Sequence, residues 1–241
     1  TNNRGDASGE MGDNLPAVDL GTGRSATAIL SGGWMHMCAL LDDKSLKCWG
    51  NNDKGQLGLG DTNNRGDASG EMGDNLPAVD LGTGRSATAI FAMGGSTCAL
   101  LDDKSLKCWG MNFAGQLGLG DTNHRGDASD EMGDNLPAVD LGIGRTATAI
   151  SAQQQHVCAL LDDKSLKCWG LNDSGQLGLG DAYNRGDASG EMGDNLPAVD
   201  LGTGRTATAI AAGDHHTCAL LDDKSLKCWG YNGYGELGLG D

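Results

Sequence analysis

Twelve residues, ALLDDKSLKCWG, occur unchanged at 39–50, 99–110, 159–170 and 219–230. A chain that copies itself this closely folds as near-identical units, each burying its apolar surface against its neighbours. The period is 60 residues, with one extra in the first copy. Eight residues separate Ile29 from Cys38, and seven separate Ile90 from Cys98, Ile150 from Cys158 and Ile210 from Cys218. The units read as 1–61, 62–121, 122–181 and 182–241, together making one domain over 1–241.

Each unit offers four short β-like runs. In the second copy they are 87–92, 97–101, 106–110 and 77–81, the last lying earlier in the chain. Gly, Asn and Asp separate them, and no helical periodicity of useful length occurs, so the expected fold is all-β. Forty-one glycines with only two Phe and three Tyr fit tight turns around a lightly built core. Four strands per unit of this length suggest four-stranded antiparallel blades of a β-propeller. A solenoid would need atypical capping units, and none is visible.

At Cys-Trp-Gly the pattern becomes specific. The run CWGNNDKGQLGLGD (48–61) with its three copies, and the preceding His-x-Cys-Ala-Leu-Leu-Asp-Asp segment, resemble the signature of RCC1-type repeats. The resemblance runs through essentially all 241 residues and implies a propeller with four antiparallel strands per blade. The cysteine-bearing version is similar to bacterial and extracellular relatives. Two departures stand out: the best-known members have seven blades against four copies here, and Lys44, Lys104, Lys164 and Lys224 hold a turn position where the family often has Gly.

The ends suggest closure. Segment 16–20 reads as a fourth strand without its own preceding strands, and 210–230 supplies strands one to three without a fourth. Pairing the N-terminal strand with the C-terminal ones would remove an exposed edge. A single closed ring is the expectation. An eight-bladed dimer made by strand exchange and a piece of a longer array are the alternatives.

Each unit carries two cysteines with nine residues between them. Counting outward from Asp43, at the centre of the intervening turn, places Leu40 opposite Leu46 and Cys38 opposite Cys48. Directly opposed cysteines of an antiparallel pair can bridge with little strain. The expected disulfides are Cys38–Cys48, Cys98–Cys108, Cys158–Cys168 and Cys218–Cys228, and with them a secreted or cell-surface location. Eight reduced, buried thiols are the alternative. The spacing does not suit a zinc knuckle.

Seventeen basic against 33 acidic side chains give a formal charge of −16, with no basic stripe to offset it. Such a field repels phosphate backbones, so no nucleic-acid partner is expected. There is no run of eighteen apolar residues, and no membrane partner is expected either. No Ser–His–Asp or Cys–His pair recurs, and no glycine loop precedes a helix, so the reading is non-enzymatic, without cofactor or metal. Arg-Gly-Asp occurs at 4–6, 65–67, 125–127 and 185–187 and reads as one structural loop copied four times. That loop is rich in oxygen ligands (Asp61, Asn63, Asp67, Glu71, Asp74), but a calcium loop wants Glu at position twelve, where Met72 stands. His36, His156 and His216 each precede a cysteine by two residues. They read as structural hydrogen-bonders, because the second unit keeps the same frame with Ser96 there.

The copies disagree in two windows. One covers 30–37, 91–97, 151–157 and 211–217; the other covers 51–54, 111–114, 171–174 and 231–234 and resumes at 62–64, 122–124 and 182–184. Strand one ends in the first window and strand three in the second. Antiparallel neighbours alternate direction, so strands one and three run the same way and both windows open on one face. The invariant DDKS turns emerge on the opposite face. All six aromatics outside Cys-Trp-Gly and all five histidines lie in the windows.

Candidate partner contacts are Trp34, Met35, Met37, Asn51 and Asp53 in the first unit and Phe91, Met93, Met111 and Phe113 in the second. Gln154, Leu171, Tyr183, His215, Tyr231 and Tyr234 follow in the remaining copies. Aromatics and Met enrich binding patches, whereas drift in permissive loops deposits mainly small and polar residues. The expectation is a binding or scaffold module that shows one variable loop face to a protein or glycan. The alternative is a structural repeat that forms a homo-oligomer through exchanged blade strands. Gly33-Trp34-Met35-His36 also resembles a Gly-Trp-Arg-His run of the family's plant photoreceptor branch. That branch clusters several such tryptophans with arginines, and one tryptophan without its arginine gives no reason to expect light sensing.

Overall fold

A computed structural model of the chain describes residues 3–33 and 35–240. The first unit holds β1 (Ala26–Gly32), β2 (His36–Leu41) and β3 (Leu46–Gly50). The second holds β4 (Ala87–Met93), β5 (Ser96–Leu101) and β6 (Leu106–Gly110). Then follow β7 (Ala147–Gln153), β8 (His156–Leu161) and β9 (Leu166–Gly170), and β10 (Ala207–Ala212), β11 (His216–Leu221) and β12 (Leu226–Gly230). Each trio is a separate three-stranded antiparallel sheet. Short 3-10 turns at Gly12–Asn14, Gly73–Asn75, Gly133–Asn135 and Gly193–Asn195 are the only helical pieces among the described residues. None is long and apolar enough to cross a membrane.

The central hairpin carries the register counted from the turn. Cys98 faces Cys108 and Leu100 faces Leu106, and the other sheets repeat this. All four pairs are disulfide-bonded, and no described cysteine is free. At the turn, the Asp103 carboxylate accepts from the Ser105 backbone N–H and hydroxyl. Lys104 there takes a left-handed φ of 69°, a conformation that costs an L-residue some strain and explains why glycine also serves. A bulge follows Ala87 in β4 and recurs in every first strand, and beside it the Thr88 hydroxyl donates to the Leu100 carbonyl.

The fourth run of each blade is not a strand. Segment 77–81 meets β3 through one bond, from the Val79 N–H to the Leu46 carbonyl (2.8 Å), and Val139 and Val199 repeat it on Leu106 and Leu166. Pro77 has no N–H to give. The carbonyls beyond Val79 turn away from β3 instead: Asp80 accepts the Gly133 N–H, and Leu81 accepts the Lys107 ammonium. Lys107 is buried and also donates to the Gly133 carbonyl at 2.7 Å. A blade is thus three strands plus a loosely held segment that serves the seam.

The core lies in those seams. One cluster joins Cys38, Leu46 and Leu57 of the first unit to Val79, Ala87, Leu101 and Trp109 of the second, and two more repeat the arrangement. Each following tryptophan donates its indole N–H back across the seam: Trp109 to the Gln56 carbonyl, Trp169 to Gln116 and Trp229 to Gln176.

The expected ring closure is not found. Sheets pack in series, β1 on β4, β4 on β7 and β7 on β10. Val18 is 56% exposed where Val79 is 6%, and Leu226 is 65% exposed where Leu166 is 1%. Segment 16–20 therefore leaves β12 uncovered. Three seams of one repeated geometry carry the sheets through an arc rather than a full turn.

Candidate functional site: the variable loop end

The two variable windows are tied together in every unit. The residue after the third strand donates its N–H to the hairpin that links the first two strands. Asn51 bonds the Met35 carbonyl, Met111 that of Gly95, Leu171 that of Gln155 and Tyr231 that of His215, all within 2.8–3.0 Å. Both windows thus share one end of the sheets, and the DDKS turns occupy the other.

Invariant amides behind the loops let the rest vary. Asn112 Oδ1 accepts the Leu117 N–H (2.9 Å), while its Nδ2 donates to the Asp121 carbonyl (2.8 Å). Asn52 and Asn172 do the same. Gln116 Oε1 holds the Ala114 N–H. Gly115 has φ 76° and lies so near the Arg-Gly-Asp loop at 185–187 that a Cβ would fall 2.3 Å from the Asp187 nitrogen, so only glycine fits.

Two aromatic clusters stand on this frame. Between the first and second units lies a recess of about 170 Å³ lined by Met35, Asn51, Asp53, Lys54, Met111 and Phe113, among others. Phe113 is 61% exposed; Lys54 Nζ sits 6.0 Å from its ring centroid and His124 meets it edge-on at 4.5 Å. In the fourth unit Tyr231 lies 6.4 Å from His215 and 6.3 Å from Tyr234, which is 92% exposed. His215 Nδ1 is 3.6 Å from the Asp173 carboxylate. Tyr183 is exposed on its own loop.

Of the expected contact residues, Trp34 lies outside the described residues. Met35, Asp53, Phe113, Tyr183, His215, Tyr231 and Tyr234 are exposed. Asn51, Gln154 and Leu171 are half-buried. Met93 and Met111 are buried, Met111 at the floor of the recess beside Phe113, and Phe91 is half-buried and packs against the cluster between the second and third sheets. Strand alternation turns Phe91 and Met93 inward, into a seam. Met37 is half-buried in β2, at the position of the fully buried Thr97, Val157 and Thr217.

Two of the three histidines before the cysteines, His36 and His156, hold seams. His36 Nε2 lies 2.8 Å from the Thr97 hydroxyl, and His156 Nε2 lies 3.0 Å from that of Thr217. Each hydroxyl donates to a glutamine carbonyl, Gln56 or Gln176, so it accepts from a histidine protonated at Nε2. Burial pushes both imidazoles down to about 4. Sequence reasoning missed these threonines and glutamines. The available signal was the invariant Gln of the first three units, where the fourth has Glu236.

The Arg-Gly-Asp loop is committed to the frame. Arg65 binds the Asp61 carboxylate at 2.7 Å and the carbonyls of Asn63 and Asn64, while its backbone bridges Gly50. The oxygen ligands of that loop diverge: Glu71 caps the N–H groups of Gly66 and Ala68, and Asp74 receives Thr22. Among the described residues no group of three His, Cys, Asp or Glu side chains is placed to hold a metal ion.

A sequence model described as "Regulator of chromosome condensation (RCC1) repeat" matches residues 28–56, 147–176 and 207–236, and a second of the same description matches 168–220. The Arabidopsis thaliana ultraviolet-B receptor UVR8 is 29% identical over 234 residues, which is 96% of this chain and 47% of that protein. The probable E3 ubiquitin-protein ligase HERC4 of Homo sapiens is 30% identical over 213 residues, 86% of this chain and 18% of the relative. The chain thus spans less than half the length of these relatives. The solved structure of Prp20p from Saccharomyces cerevisiae matches with a TM-score of 0.65 at 20% identity, covering 93% of this chain and 49% of that one. Yeast RCC1 (Prp20) bound to Kap60 matches at 0.66 and 20%, covering 92% and 47%. These likenesses show the fold.

Proposed function

This chain is an RCC1-type repeat domain, and from that premise we propose that it is a non-enzymatic recognition module whose variable loop end takes a protein or glycan partner. One observation carries the reading: two windows that differ among otherwise copied units are hydrogen-bonded into a single end, and exposed aromatics gather there. Exposed Tyr and Phe give large contact area at low entropic cost, against a protein surface or a sugar ring. Yeast Prp20p has binding properties toward Gsp1p and histones, and it has also been solved bound to Kap60, so a related fold binds proteins. Four disulfides support a secreted or cell-surface setting.

Capture of partners from the native source tests the proposal. Phe113→Ala and Tyr234→Ala together, with Trp34→Ala added, should reduce capture by about tenfold or more, while thermal unfolding stays at the wild-type temperature. Undiminished capture overturns the reading.

A further inference from the structure

The variable residues of the second unit deprive the frame of a hydrogen bond. In the first unit Gln56 Nε2 donates to the side chains of Asn51 and Asp53, and in the third Gln176 Nε2 donates to Asp173 at 3.3 Å. The second unit has Met111 and Phe113 at those places, and the Nε2 of the fully buried Gln116 has no hydrogen-bond partner. An orphaned buried donor is destabilising. A fold carries such a loss where function needs the residues that cause it.

What the exchange produces is the recess between the first and second units. Met111 is its floor and Phe113, 61% exposed, is one wall. A dry cavity of roughly 150 Å³ holds a benzene ring, so the 170 Å³ here suits one aliphatic or aromatic side chain.

Phe113 is also a wall of a wider hollow of about 580 Å³, lined further by Asn123, His124, Arg125, Asp127 and Glu131. The charges of that hollow do not cancel. Arg125 is held by Asp121 at 2.6 Å, and His124 accepts the Asn112 N–H at Nδ1, which keeps its ring neutral. Asp127 and Glu131 are left without an ion pair among the described residues. Burial and the Asp127 carboxylate raise Glu131, as happens when negative charge is crowded without a cation. On the recess side, by contrast, Asp53 already has Lys54 at 3.8 Å. One side of the Phe113 ring thus calls for an apolar group and the other for positive charge.

We propose that the recess at Phe113 seats one apolar side chain of a protein partner, while Asp127 and Glu131 in the adjoining hollow pair with a lysine or arginine close to it in the same segment. The inference rests on the recognition reading above and narrows its partner to a protein with a basic, apolar-anchored segment. The formal charge of −16 adds long-range attraction for such a segment.

A displayed library of random peptides of about twelve residues, panned against the full chain with its disulfides intact, tests this. Enriched peptides should share an apolar residue within a few positions of Lys or Arg, and fluorescence anisotropy of synthetic copies gives their affinity. Phe113→Asp copies the third unit and returns an acceptor to Gln116. It should weaken binding about thirtyfold, although it adds negative charge, with a urea midpoint no lower than the wild type's. Asp127→Asn with Glu131→Gln should weaken binding about tenfold and flatten its salt dependence. A peptide whose basic residue is replaced by Gln should bind that variant and the wild type alike. No enrichment, enriched peptides without an apolar–basic pair, or binding untouched by F113D overturns the inference. So does a glycan array bound through Phe113 in place of peptide. In those cases capture from the native source that still depends on Tyr234 preserves the recognition reading, and capture indifferent to both aromatics removes it too.

Discussion

At the scale of single residues, the seam histidines make the protein sensitive to acid. His36 and His156 have folded-state values near 4, against an ordinary 6.5, because burial disfavours the imidazolium. Between pH 6.5 and 4 the unfolded chain binds protons that the native seams refuse, so stability is full above 6.5 and falls as pH drops through that window. The loss is on the order of 3 kcal/mol for each ring. Below it the carboxylates take over: Asp74, held down by the Thr22 hydroxyl and N–H, loses its contribution only as pH falls beneath the ordinary carboxylate range. Urea unfolding followed from pH 7 to 4 should show the decline, and the double variant H36S/H156S should flatten it. An unchanged slope in that variant would assign the acid sensitivity elsewhere.

At the scale of elements, the hairpin was the most legible part of the chain. Its turn could be located from Asp43, and period-two alternation then placed the cysteines opposite one another with no further information. Removing one bridge, as in Cys98→Ala with Cys108→Ala, should cost about 3 kcal/mol in the loop-entropy account, read as a lower urea midpoint. Stability equal to the wild type would deny the disulfides a structural role. The fourth run was not legible, because beyond Val79 its carbonyls bond away from β3: Asp80 and Leu81 are spoken for by Gly133 and Lys107. The packing of Phe91 and Met93 was hidden for a related reason. They sit where copies vary, yet the pleat of β4 aims them into a seam that only the packed neighbour reveals.

At the scale of the molecule, the repeat and its β character could be read directly, and the closure could not. Two complementary ends in one sequence look like a ring, but whether they meet depends on the angle set at each seam, which no residue pattern states. The arc predicts uneven protection. Amides of Leu106–Gly110, inside the arc, should exchange about tenfold or more slowly than those of Leu226–Gly230, whose outer edge is bare. Equal protection of the two strands would mean that the last sheet is covered in solution.

The same scale holds the central claim, that one end of the sheets is the working surface and the other is frame. A photo-crosslinking residue placed at Phe113 or Tyr234 reports contacts of the variable end, and one at Lys104 or Lys164 reports the turn end. In the native source, the account predicts a common discrete adduct from Phe113 and Tyr234 and none from the lysine positions. Adducts from Lys104 and Lys164, with none at the aromatics, would contradict it.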